Sequence, residues 1–193
     1  MNTQHLCPVY TKWLQLNPID ARKHRHFLQD SMQKARLQGQ LDKACTLAYQ
    51  TLETAKLVLT ALQNVSNQNV SNHKDNGVRE DIISYSAAGM YLSSLLHCSD
   101  NTQEAHNVLQ QCQQQLIAVL PLHATNHTIL ALIKTAMHAF EQSSLLLVNN
   151  TLANNDAANS NADGGHSVGS HFVNNHSVSK SIHRANNRLS LVH

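Results

Sequence analysis

The chain has 193 residues, enough for one domain of ordinary size and a tail. Aromatic residues make up 4% and charged residues 13%, so Asn, Gln, Ser, Thr and His carry the polar share; that balance favours helices over a many-turned β-sandwich. The formal charge of +2 excludes a strong electrostatic pull toward nucleic acid or a membrane surface.

The N-terminus "MNTQHLCPVYTKWLQLNP" has neither the basic region nor the unbroken apolar region of an export signal. A short helix is expected over Val9–Leu16, bounded by Pro8 and by Asn17-Pro18. Asn17 is then the natural cap of a second helix, Pro18–Gln38, with Pro18 in its first turn and Asp20 near its positive end. Its inward residues are Leu28, Met32 and Ala35, and Gly39 can take the left-handed conformation that closes it. A third helix starts at Leu41 and runs to about Val65. Leu41, Cys45, Ala48, Leu52, Ala55, Leu59 and Leu62 form an apolar seam with alternating steps of four and three. Residues 66–77, "SNQNVSNHKDNG", hold one apolar residue and read as a loop.

A fourth helix, about Val78–Cys98, is apolar nearly all round and belongs in the middle of a domain. Its core, "IISYSAAGMYLSSLL", is shorter than the roughly 20 residues that span a bilayer, so no membrane partner is expected. Asp100, with Gln103 three residues on, suggests a capping box for a fifth helix carrying Ala105, Leu109, Cys112, Leu116 and Val119, which Pro121 ends. A sixth helix from about Asn126 buries Ile129, Ile133, Ala136 or Met137, and Phe140, and fades near Val148. From Asn149 the chain turns Asn- and Ser-rich, with too few large apolar residues to offset its ordering entropy. The expected organisation is an all-α domain over 8–148 and a disordered low-complexity tail over 149–193.

Two hairpins can be set in register 61 residues apart: Leu28 with Gly89, Ala35 with Leu96, Gly39 with Asp100, Ala44 with Ala105, Ala48 with Leu109 and Thr51 with Cys112. Each has a long first helix, a turn, and a small residue early in the second helix. This pattern, best in "LQGQLDKACTLAYQTLETA", resembles the tetratricopeptide repeat, a 34-residue helical hairpin that stacks into a solenoid. The resemblance covers about 25–58 and 86–119. It departs from the family in lacking the large aromatic of the first helix, at Leu28 and Gly89, and the proline near the end, at Lys56 and Ile117. A generic helical bundle fits the same seams. What the resemblance implies is a groove lined by the first helix of each hairpin: His26, Gln29, Gln33 and Arg36 on one side, and Ala87, Met90, Ser94 and His97 on the other. Such a groove suits an extended peptide or a partner helix.

Motif chemistry is sparse. There is no Gly-rich phosphate loop, Ser-centred elbow or His-Glu-x-x-His, so no enzyme and no cofactor is expected. The 14 histidines lack metal-ligand spacing, and Cys7, Cys45, Cys98 and Cys112 read as free, buried thiols of a cytoplasmic protein. In the tail, His166, His171 and His176 recur at intervals of five, which composition alone explains. The expected function is a protein-binding module, an adaptor or regulatory subunit with a protein or peptide partner. Two alternatives stand beside it. One is a nucleic-acid-associated regulator using the basic Arg22–Arg25 stretch of "ARKHRH". The other is a homodimer in which the seams of Leu41–Leu62 and Ala105–Val119 pair between subunits.

Overall fold

Prolines at helix starts and left-handed residues at helix ends divide this chain. The structure is a computed structural model that describes residues 6–65 and 73–160. Among them are six α-helices and no strand: α1 (Pro8–Leu16), α2 (Pro18–Leu37), α3 (Leu41–Val65), α4 (His73–Cys98), α5 (Thr102–Val119) and α6 (His127–Ser160), with a 3-10 turn at Leu120–His123 between the last two. The fold is all-α, as the sequence pattern requires. By its contacts the chain divides into two units, Met1–Ser144 and Leu145–His193. The first holds α1 to α5 and most of α6; the described part of the second is the remainder of α6.

Two helix boundaries differ from the sequence reading. The loop assigned to 66–77 ends sooner, because α4 begins at His73; residues 66–72 lie outside the described residues. Gly77 thereby sits inside the helix, where a Cβ would lie 2.8 Å from an Arg22 guanidinium nitrogen. The bare backbone there lets Arg22 cross the first turns of α4. At the other end, α6 continues through Asn149 to Ser160. No Gly or Pro interrupts the sequence before Gly164, and Ala153, Ala157 and Ala158 favour the helix that the Asn residues weaken. The tail beyond, 161–193, with the histidines at 166, 171, 176 and 183, lies outside the described residues.

The caps also differ in detail. Asn17 occupies the cap position of α2, yet its side chain donates back to the Trp13 carbonyl at 2.8 Å instead of capping. Asn126 is a true cap: its Oδ1 accepts from the Ile129 N–H at 3.1 Å. The capping box expected at Asp100 does not form. Asp100 instead adopts φ 59°, the left-handed conformation that Gly39 holds at φ 71°. Around Gly39, the Gln40 N–H bonds to the Ala35 carbonyl and the Gly39 N–H to Arg36. Around Asp100, the Asn101 N–H bonds to Leu96 and the Asp100 N–H to His97. These are two copies of one helix-ending motif, set 61 residues apart. The residues paired in the sequence register are buried alike: Ala35 and Leu96, Ala44 and Ala105, Ala48 and Leu109, Thr51 and Cys112.

Each of α2, α3, α4 and α5 packs on its neighbour in sequence, and α1 lies against α2 and α3. The seams fill the interior. Cys45, Ala48, Ala55 and Leu59 of α3 are buried, as are Ala105, Leu109, Cys112, Leu116 and Val119 of α5. The buried residues of both seams are therefore used within the chain, whereas Leu41, at the start of the α3 seam, is 45% exposed and Leu52 is half-buried. At Gly89 of α4 a Cβ would lie 2.5 Å from the Cys112 sulfur and 3.4 Å from the Phe140 ring, so the missing side chain lets α5 and α6 close on α4. α5 and α6 are joined further by Ser144 to His106 at 2.7 Å and by Gln113 to Glu141 at 3.0 Å.

A core so short of aromatics must also bury hydroxyls. Thr51, Thr54 and Ser86 are buried, and each donates to the carbonyl four residues earlier. That bond removes the cost of an unpaired hydroxyl without needing a partner on another helix.

Candidate functional site

The seam where α2 meets α4 carries the densest polar chemistry among the described residues. On α2, Arg22, Arg25, Gln29, Gln33 and Arg36 step by 3, 4, 4 and 3, so they share one face. On α4, Asp81, Ser84, Ala88 and Tyr91 step by 3, 4 and 3 and share another.

At one end of the seam, Arg22 grips Asp81 with two bonds, Nε to Oδ1 at 3.0 Å and a second guanidinium nitrogen to Oδ2 at 2.6 Å. Arg25 adds a third, to Oδ1 at 3.1 Å. The Arg25 side chain is 0% exposed and that of Asp81 1%, so this is a buried charge cluster and not a surface pair. Glu80 stands at its rim, 3.6 Å from both Arg25 and His26. The hydrogen bonding that Arg22 donates to Asp81 is the main reason its pKa is raised above the usual arginine value. At the other end, the Arg36 guanidinium lies 5.2 Å from the centre of the Tyr91 ring, a cation–π contact. Later residues of α2 thus meet later residues of α4, so the two helices run parallel.

Between these ties lies a stretch of about 15 Å, taken from ten residues of helical rise. It is flanked by Gln29, half-buried, and Gln33, exposed, on α2, and by half-buried Ser84 and buried Ala88 on α4. Neither glutamine side chain makes a hydrogen bond among the described residues.

The expected groove residues fall into two groups. His26, Gln29, Gln33 and Arg36 share the face of α2 that meets α4. On α4 the expectation is corrected. Met90 is 5% exposed and packed in the core, so it lines no groove. His97 is half-buried and turned to the start of α5, its Nδ1 3.2 Å from the Thr102 hydroxyl. Ser94 and Ala87 are half-buried. Asp81 and Tyr91 take the places assigned to them, because equivalent positions of the hairpins are not the positions that touch. Equivalents stand 61 apart, whereas Arg22 meets Asp81 and Arg36 meets Tyr91, 59 and 55 apart.

The basic stretch is corrected as well. Arg22 and Arg25 are committed to Asp81, and Lys23 pairs with Asp20 at 3.1 Å, so this part of α2 presents no row of free cations to a phosphate backbone. Of the four thiols expected to be buried, Cys7 and Cys98 are exposed. Burial raises the Cys45 thiol above the usual cysteine range and pushes Cys112 up to about 11, so both stay protonated at neutral pH. No group of three or more His, Cys, Asp or Glu among the described residues could hold a metal ion, and no helix among them is long and apolar enough to cross a membrane. No protein family, curated protein or solved structure matches the chain.

Proposed function

We propose that the chain is a non-enzymatic protein-interaction module of the cytoplasm, built on two tetratricopeptide-like hairpins and binding a peptide or helix along the α2–α4 seam. The observation that carries this reading is the seam itself: two parallel first helices, tied at both ends, with hydrogen-bond-free Gln29 and Gln33 facing small residues between the ties. Carboxamides offer a donor and an acceptor each, which suits a peptide backbone. The repeated helix ending at Gly39 and Asp100 supports the hairpin repeat. Four free cysteines fit a reducing compartment.

The test is capture of partners from native lysate by the full chain and by a Gln29→Glu/Gln33→Glu variant whose circular dichroism matches wild type. A partner held by the wild type and lost by the variant is the expected result. Equal capture by both puts binding elsewhere, and no capture by either sinks the proposal.

A further inference from the structure

We propose that α1 is a strap released by protons: neutral His24 seats it on α2, and protonation of His24 undocks it. The attachment of α1 is narrow. Leu14 is its one buried side chain, packed with Ala21 and Val58 and bordered by Leu6 and Leu57. The Leu6 N–H donates to Glu53 at 3.1 Å. A further contact is a ring cluster: Tyr10 stands edge-to-face on His24, with centroids 5.1 Å apart and planes at 88°, and stacks on Trp13 at 5.7 Å. The outer side of α1 faces solvent, with Val9, Trp13 and Leu16 exposed.

His24 is the weak point of that attachment. Its Nε2 is buried with no hydrogen-bond partner. A neutral ring tolerates this by carrying its proton on Nδ1; a charged ring must place an N–H at Nε2 with nothing to accept it. Among the described residues no charge compensates. On α2, Asp20 and Lys23 pair with each other, while Arg22, Arg25 and His26 are engaged with α4 at Asp81 and Glu80. Lys12 is the one charged residue of α1, and on α3 Glu53 already accepts from Leu6, with Lys56 exposed. Burial, and no charged neighbour, holds the His24 pKa below the usual histidine value of 6.5. The undocked ring titrates as an ordinary histidine, so between pH about 6.5 and the lower docked value the undocked form binds more protons. Docking is therefore complete above that window and is lost as pH falls through it, by up to about tenfold in the docked-to-undocked ratio per pH unit. Undocking uncovers the apolar seat of Leu14 on Ala21 and Val58.

The test is amide hydrogen exchange of the full chain, corrected for intrinsic rates, at pH about 7.5 and about 5.5, in wild type and in His24→Gln and His24→Leu. Two variants are made so that one that misfolds by circular dichroism can be set aside. The expected result is that protection of residues 8–16 falls on acidification in wild type, by at most about tenfold, and stays level in the variants, with α3 to α5 unchanged. Emission from Trp13, the sole tryptophan, shifts with the same midpoint. The proposal is overturned by an equal fall in the variants, by no fall in wild type, by parallel loss of protection in α3 to α5, or by an α1 unprotected at neutral pH.

Discussion

Gly39 and Asp100 do the same work at different conformational cost. Both close a first helix in the left-handed region, at φ 71° and φ 59°. Glycine enters that region freely, whereas a Cβ meets the following carbonyl, a penalty that aspartate softens but does not remove. Asp100 is exposed and accepts no hydrogen bond that its backbone position requires. Asp100→Gly is therefore expected to stabilise the chain by about 0.5 kcal/mol, net of the entropy that glycine adds to the unfolded state. Gly39→Ala is expected to lose about 1 kcal/mol, all of it conformational, since nothing lies within 4 Å of the added Cβ. Urea midpoints at unchanged slope measure both. A stabilising Gly39→Ala, or an Asp100→Gly as costly as it, would falsify the equivalence of the two turns. Gly39 could be read as a terminator from sequence. Asp100 could not, because Asp before an apolar helix is first of all a capping signal; its real role emerges once it is set in register with Gly39.

At the scale of elements, the same contrast separates what periodicity reveals from what it hides. The starts of α2 and α3, the α5 seam and the middle of the α3 seam follow from apolar spacing, Pro18 and Gly39, and they stand where the pattern puts them; Leu41, the first residue of the α3 seam, is exposed instead. The start of α4 was hidden because Gly77 reads as a breaker locally, whereas in the fold it lies inside the helix beneath the Arg22 guanidinium of another helix. Asp81 was hidden for the same reason: no rule of spacing along α4 announces a partner 59 residues back. This cluster gives the α2–α4 seam its register. Asp81→Ala leaves Arg25, 0% exposed, with only the exposed Glu80 at 3.6 Å to balance it and should cost about 3 kcal/mol. Replacing the buried pair together, as Arg25→Met/Asp81→Leu, should recover most of that loss, since apolar groups of similar size need no desolvation. The check is a double-mutant cycle by denaturant unfolding. If the double variant is as unstable as Asp81→Ala alone, the penalty is not that of an orphaned charge.

Over the molecule as a whole, packing follows the order of the chain. α2 packs on α3, α3 on α4 and α4 on α5; the ties of α2 to α4 and of Tyr49 on α3 to Glu104 on α5 skip one helix only. That plan made the fold class and the burial of the seams legible, while the side of α4 that faces α2 was not. The residues of α2 that meet α4 stand 59 and 55 positions from their partners, not 61, and a sequence register does not show that offset. The same plan has a kinetic consequence. A long-range contact must first close a chain loop, and the loops here are those between adjacent helices, so the entropy lost before contacts form is small. Refolding of the full chain, followed by Trp13 emission and by far-ultraviolet ellipticity after dilution from urea, should have a main phase on the order of milliseconds. Asp81→Ala should leave that phase little changed and accelerate unfolding, because the α2–α4 tie needs both hairpins in place and so forms after each has closed. A main phase of seconds, or a refolding rate that falls in proportion to the stability lost in Asp81→Ala, would instead make the seam between the hairpins the nucleus of the fold.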